Sequence, residues 1–221
     1  MQALISHLPA WVPQLLIASL QTLELTACAF AIAVALGIAV ALLRRLDLPP
    51  LRWLLIAYVE IGRGTPALVI LFLIYFALPD QFPALSLDSF TAAVIGLGLQ
   101  GGALLSEVFR AGIEAIHAGQ REAAISLGLT PRQAMQDVIA PQAIRVVLPP
   151  VGNYAIGLLK DTSIASIIAA PDLMLRAKDL ASSSFLPMQA YCLVAVFYFA
   201  MSYPMSLLVG RLELKLARSH R

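Results

Sequence analysis

The sequence predicts an all-α integral membrane protein with five transmembrane helices, a single domain over 1–221. Three observations predict it: the composition, the recurrence of membrane-length apolar runs, and the placing of Lys and Arg. Sixty percent of the 221 residues are hydrophobic and 13% are charged, against about 25% charged in a soluble protein. A water-soluble chain of this length could not hide so much apolar surface. About 20 apolar residues span a bilayer as a helix, which leaves room for about five spans and no sizeable soluble domain.

The five runs cover about 14–43, 53–78, 90–113, 146–170 and 187–210. Before the first, MQALISHLPA carries no Lys or Arg. It lacks the charged start of a cleavable signal peptide, so the first span is expected to be retained. The second run contains Gly64-Thr65-Pro66, which reads as a helix break with Thr65 as the cap of the following turn. Pro79 and Pro83 punctuate the loop after it. In the third, Gly96, Gly98, Gly101 and Gly102 allow neighbouring helices to approach closely. At its end, Glu107, Arg110 and Glu114 stand three and four apart and form a charge ladder on one face. The fourth run holds Lys160-Asp161, and Pro171 opens the loop that follows. Trp11, Trp53, Tyr58 and Tyr191 lie near span ends, as interface aromatics do.

Orientation follows from the cations. Arg44, Arg45 and Arg52, then Arg110, Arg121, Arg132 and Arg145, then Arg211, Lys215, Arg218 and Arg221 place eleven on one side; Arg176 and Lys178 place two on the other. The N-terminus is expected outside and the C-terminus in the cytosol. The formal charge of +2 gives no reason to expect nucleic acid as a partner. Cys28 and Cys192 sit inside separate apolar runs, so no structural disulfide is expected. His7, His117 and His220 are too scattered to hold a metal.

The stretch from Gly119 to Pro150, GQREAAISLGLTPRQAMQDVIAPQAIRVVLPP, is polar and lies on the cytosolic side. Gly128 suits a left-handed helix end, and Thr130-Pro131-Arg132-Gln133 gives a cap, a proline at the first helical position and a capping box. Two short helices separated at Gly128 are expected. Such a pair fits a groove on a partner; an amphipathic elbow lying on lipid headgroups is the other reading.

The same segment resembles the EAA loop of bacterial ABC-importer permeases, here over about 117–145. Glu122-Ala123-Ala124, Gly128 and Pro141 stand at the family's spacing, while Val138 and Ala140 replace its Ile and Leu. Three further blocks resemble the polar amino-acid branch of that family. They are Tyr58-Val59-Glu60-Ile61-Gly62-Arg63-Gly64-Thr65-Pro66, Glu107-Val108-Phe109-Arg110-Ala111-Gly112-Ile113 and Leu158-Leu159-Lys160-Asp161-Thr162-Ser163. The resemblance implies a type I importer transmembrane domain in a bacterial inner membrane. It implies a second permease subunit, the same chain or a paralogue, and two cytosolic ATPase subunits that dock on the loop and carry the ATP and Mg. It also implies a periplasmic binding protein that delivers a polar amino acid. The chain has no Gly-x-x-x-x-Gly-Lys-Ser/Thr phosphate loop, so it is not the ATPase. Glu122, Ala123, Ala124, Gly128 and Pro141 are the expected coupling residues.

A charge at the bilayer centre costs about 2.5–3.5 kcal/mol on insertion scales, so such residues face a cavity or each other. Glu24, Glu60, Arg63, Lys160 and Asp161 all fall in or near apolar runs. An amino acid presents both a carboxylate and an ammonium. Lys160, Asp161, Glu60, Thr65, Asn153 and Glu24 are therefore the candidate substrate contacts. In the competing arrangement Lys160 pairs with Glu60 and Asp161 with Arg63, and both pairs only hold spans together. Two other functions stay open from sequence: an autonomous secondary transporter of small zwitterions and an intramembrane enzyme. No inverted repeat supports the first, and no nucleophile or metal constellation supports the second.

Overall fold

The computed structural model describes residues 2–46 and 48–218. His220 and Arg221, and the side chain of Arg218, lie outside the described residues.

α1 runs from Gln2–Leu43. Within it Ser19, Thr22 and Thr26 each donate to the carbonyl four residues back, which satisfies their hydroxyls inside an apolar helix. α2 spans Pro49–Gly64 and starts on proline. The chain then breaks at Thr65-Pro66 and bends by 111° into α3, Ala67–Gln81, which contains a π-helical turn at Leu73–Ala77. α4 covers Ser89–Glu114 and is capped by Asp88, which accepts from the Thr91 amide. Hydrogen bonding from Thr91, its side chain first and then its amide, holds the exposed Asp88 carboxyl below its ordinary range. α5 is the short helix Ala118–Ser126. α6 comprises Pro131–Gln133, a π-turn at Ala134–Ile139 and Ala140–Asp161, running on without a break. A 3₁₀ segment, Thr162–Ile168, follows. α7 is Leu173–Ser184 and α8 is Pro187–Arg218.

Two clusters hold these elements. Leu25, Ala29, Leu71, Ala92, Leu97, Leu158 and Ile168 join α1, α3, α4, α6 and the 3₁₀ segment. Trp11, Leu15, Leu173, Ala177, Ala190 and Val194 join the start of α1 to α7 and α8. The seam between α1 and α4 is built on small residues. A Cβ at Gly98 would meet Ile32, one at Gly101 would meet Ala33 and one at Gly102 would meet Leu36, all within 2.8 Å. Close backbone approach replaces the hydrophobic drive that lipid does not supply. The expected role of the glycine cluster is thus the observed one.

Of the five expected spans, length and composition alone identify three or four. Among the described residues three helices are long and apolar enough to cross a membrane, namely α1, α4 and α8, with the bent α2–α3 pair as a fourth. The run 146–170 does not qualify. Pro149, Pro150 and Asn153 dilute its apolar character, Lys160 and Asp161 charge it, and its α-helix stops at Asp161. It packs among other helices: α6 buries Val147, Leu158 and Leu159.

Candidate functional site

The polar elbow begins at His117, whose Nδ1 accepts from the Gly119 amide at 3.1 Å. α5 ends in a left-handed turn at Gly128, φ +85°. The Gly128 amide donates to the Ile125 carbonyl at 2.9 Å and the Leu129 amide to the Ala124 carbonyl at 3.2 Å. Those two bonds are the pair that closes a Schellman end. Thr130 then opens the next helix with the expected capping box.

One expectation here is corrected. The second helix is not short: it is the first turn of α6. Pro141 lacks an amide to give to the helix. The preceding π-turn shifts the ladder, with the Ala140 amide donating to the Met135 carbonyl, so the chain passes through the proline without stopping. The elbow is therefore one short helix joined through Gly128 to a helix that reaches Asp161. Gln142 adds a tie across the corner, donating to Gln120 Oε1 at 3.4 Å. Of the expected coupling residues, Ala124 is buried at 3% exposure, while Glu122, Ala123, Gly128 and Pro141 are exposed. Beside them Leu127 stands 83% exposed.

The charge ladder exists and is longer than the sequence shows. Arg110 bonds Glu107 at 2.7 Å and Glu114 at 2.5 Å. Arg44, from the end of α1, closes on the other oxygen of Glu107. A carboxylate shared between two guanidiniums thus ties α1 to α4 beside the elbow. Arg44 could not be assigned from sequence because the pairing spans 63 positions.

The charges of the apolar runs do not meet. Among the described residues the ion pairs are those of Arg44, Glu107, Arg110 and Glu114, with Arg176–Asp179 besides. Neither Lys160–Glu60 nor Asp161–Arg63 is formed, so the pairing alternative is not what the structure contains. Lys160 instead lines a groove of about 650 Å³ with Ser163, Met174, Tyr191, Tyr198 and Phe199. Asp161, Glu60, Thr65, Asn153 and Glu24 are not in its walls. Asn153 reaches Glu213 of α8 at 3.3 Å. Glu24, Glu60 and Asp161 are exposed on the chain's surface.

Thr65 does not cap α3: Pro66 occupies the cap position and no side chain caps it. The Thr65 carbonyl accepts from Gln100 Nε2 of α4 at 2.9 Å. Next to it the Tyr58 hydroxyl donates to the Leu99 carbonyl at 2.6 Å. Gln100 was missing from the candidate residues; a lone amide among the glycines of an apolar run was the available signal.

A further polar group lies where α1, α7 and α8 meet. Asp172, 1% exposed, accepts from the Leu175 amide at 2.7 Å and from the Tyr198 hydroxyl at 3.4 Å. The Leu173 amide donates to Thr22 Oγ1 at 2.9 Å. Burial is the largest influence on Asp172 and pushes its carboxyl up to about 6.

Residues 30–218 match the model of the family described as binding-protein-dependent transport system inner membrane component. The chain is 42% identical over 199 residues to the probable glutamine ABC transporter permease protein GlnM of Bacillus subtilis (strain 168), covering 90% of this chain and 91% of that one. Its fold is similar to a crystal structure of an amino acid ABC transporter with histidines: TM-score 0.89, 38% identity, 94% of this chain and 96% of that one. The MetNI methionine ABC transporter in an inward-facing form shares the fold at TM-score 0.70 and 17% identity, over 90% of this chain and 95% of that one.

Proposed function

Because this chain belongs to the family of binding-protein-dependent transport system inner membrane components, we propose that it forms the pathway of an ATP-driven importer for polar amino acids or close analogues. Membership makes it a transport subunit and not an enzyme, and it replaces the readings as a secondary transporter or an intramembrane enzyme. The cargo class is supported by relatives named for glutamine and amino-acid transport.

The observation that carries the mechanism is the elbow. Its short helix presents exposed Leu127 and Ile125, and the hydrogen-bonded turn at Gly128 connects it directly to α6. We assign the docking of a cytosolic ATPase subunit to this surface, with Glu122, Ala123, Ala124, Gly128 and Pro141 as the coupling residues. Movement of the docked ATPase then turns α6 as a lever and displaces Lys160 at its far end. The elbow faces the cytosol in this reading, as do Arg44, Arg45 and Arg52, and the N-terminus lies outside. ATP and Mg are held by the partner subunits, the second permease subunit is a copy or a paralogue, and a binding protein delivers the cargo from outside.

For the cargo itself, Lys160 is the leading contact. Its ammonium meets a carboxylate in a groove whose aromatic and hydroxyl walls suit a small polar molecule. Asp161, Glu60, Thr65, Asn153 and Glu24 lie outside that groove and would have to be gathered by the second subunit or by the change of state. Lys160→Met should abolish uptake while ATP hydrolysis stimulated by the binding protein continues. Loss of assembly in that variant, or unchanged uptake, would remove Lys160 from the cargo path.

A further inference from the structure

The arginines beside the elbow surround a space that has an apolar continuation. A hollow of about 560 Å³ is walled by Arg44, Arg45, Arg52, Arg110, Arg121 and Glu114, among others. Arg44 and Arg110 are engaged by Glu107 and Glu114. Arg45, Arg52 and Arg121 have no ion pair among the described residues. They come from three places, just past the end of α1, the first turn of α2 and α5, so the fold collects around one space three cations without an ion pair among the described residues.

A second cavity of about 500 Å³ adjoins it, and the two share Ala41 and Met135 in their walls. This one lies between α1, α4 and α6 and is lined by Ile38, Leu42, Phe109, Ile113, Ile144 and Val147. Trp53, next to Arg52, is 72% exposed; an exposed Trp at a span end marks the depth of lipid headgroups. A compact anion would satisfy the arginines but leave the apolar limb empty. An apolar helix would fill the limb but leave the arginines unpaired. An anionic phospholipid matches both halves.

We propose that this joined cavity binds one anionic phospholipid of the cytosolic leaflet, with its phosphate among Arg45, Arg52 and Arg121 and an acyl chain between α1, α4 and α6. The lipid then ties the elbow, through Arg121, to α1 and α2. The leaflet rests on the orientation proposed above.

The test uses the full permease–ATPase complex, exchanged into bilayers of phosphatidylcholine with phosphatidylglycerol as the minor component, re-extracted, and weighed intact by native mass spectrometry. The wild type should retain phosphatidylglycerol well above its share of the bilayer. Neutralising an arginine near a lipid surface weakens binding about fivefold, so Arg45→Gln, Arg52→Gln and Arg121→Gln together should cut retention on the order of a hundredfold. The corresponding triple Lys variant should keep it. Ile144→Trp fills the apolar limb and should lose the lipid with every arginine in place. Retention at the bulk ratio by the wild type overturns the proposal, as does displacement of the lipid by inorganic phosphate. It is also overturned if the Gln variant releases the ATPase subunit yet keeps its lipid, which would make the basin a protein dock. Labelling a cysteine placed at Gln120, without Cys28 and Cys192, with an impermeant reagent finds the elbow's side independently. A retained lipid with the elbow outside would refute the orientation alone.

Discussion

Gln100 of α4 donates its side-chain amide to the Thr65 carbonyl at 2.9 Å, at the point where α2 and α3 part by 111°. A break in a membrane helix leaves carbonyls with no water to accept from, and a neighbouring side chain must take them. Replacing Gln100 with Leu keeps the bulk and removes the donor. The expected cost is about 1–3 kcal/mol, read as a lower unfolding midpoint in detergent. An unchanged midpoint would mean that the break is satisfied by other means.

Gly112 sits where α4 crosses α6. A Cβ there would stand 2.0 Å from Val147 Cγ1, and Val147 is buried. Gly112→Ala is expected to destabilise by about 1–3 kcal/mol through overpacking. Val147→Ala vacates that space, so the double variant should be more stable than the sum of the two single effects by at least about 0.5 kcal/mol. Strict additivity in the cycle would contradict the contact.

Gly128 is constrained by its backbone, not by crowding: φ is +85° and a Cβ would meet nothing within 4 Å. Asn tolerates the left-handed region and a β-branched residue does not. Gly128→Asn should therefore transport close to wild type. Gly128→Val should insert normally into the membrane yet lose uptake and the stimulation of ATP hydrolysis by the binding protein. Normal uptake by the Val variant would refute the coupling role of the turn.

Asp172 gives a pH dependence with a definite sign. Its carboxyl is raised from 3.8 to about 6, first by burial, while the Leu175 amide, the Tyr198 hydroxyl and the charge of Lys178 partly offset the shift. The folded state therefore binds the proton more tightly than the unfolded state. Its contribution is fully present below about pH 4 and is lost as pH rises through about 6. Relative to Asp172→Asn, the wild type should lose about 3 kcal/mol between those limits. A difference in midpoint that stays flat from pH 4 to pH 7 would contradict the assignment.

The legible part of this chain was the part written in local chemistry. The left-handed end at Gly128, the capping box at Thr130 and Gln133, and the break at Gly64-Thr65-Pro66 each depend on a few adjacent residues, and each is present. The glycines of α4 were read correctly for the same reason: a missing side chain has one main structural use. What could not be read was how far a helix runs through an irregularity. The polar stretch suggests that the helix after Thr130 is short, but a π-turn carries it past Pro141 as far as Asp161. Contacts between distant positions were equally hidden. Arg44 meets Glu107, Gln100 meets Thr65, and Leu173 meets Thr22; no spacing announces them. The charges in the apolar runs are visible one by one in the sequence, but whether they share a cavity depends on helix rotation, which composition does not encode. Lys160 faces a groove, and the other five candidates face elsewhere.

ATP-driven accumulation is the most direct measurement. The chain would be reconstituted in vesicles with its permease and ATPase partners, and the binding protein and labelled polar amino acids supplied on the receptor side. The account predicts uptake that requires both ATP on the ATPase side and the binding protein, and that disappears in Gly128→Val. Accumulation driven by an ion gradient without ATP, or undiminished uptake in Gly128→Val, would contradict it.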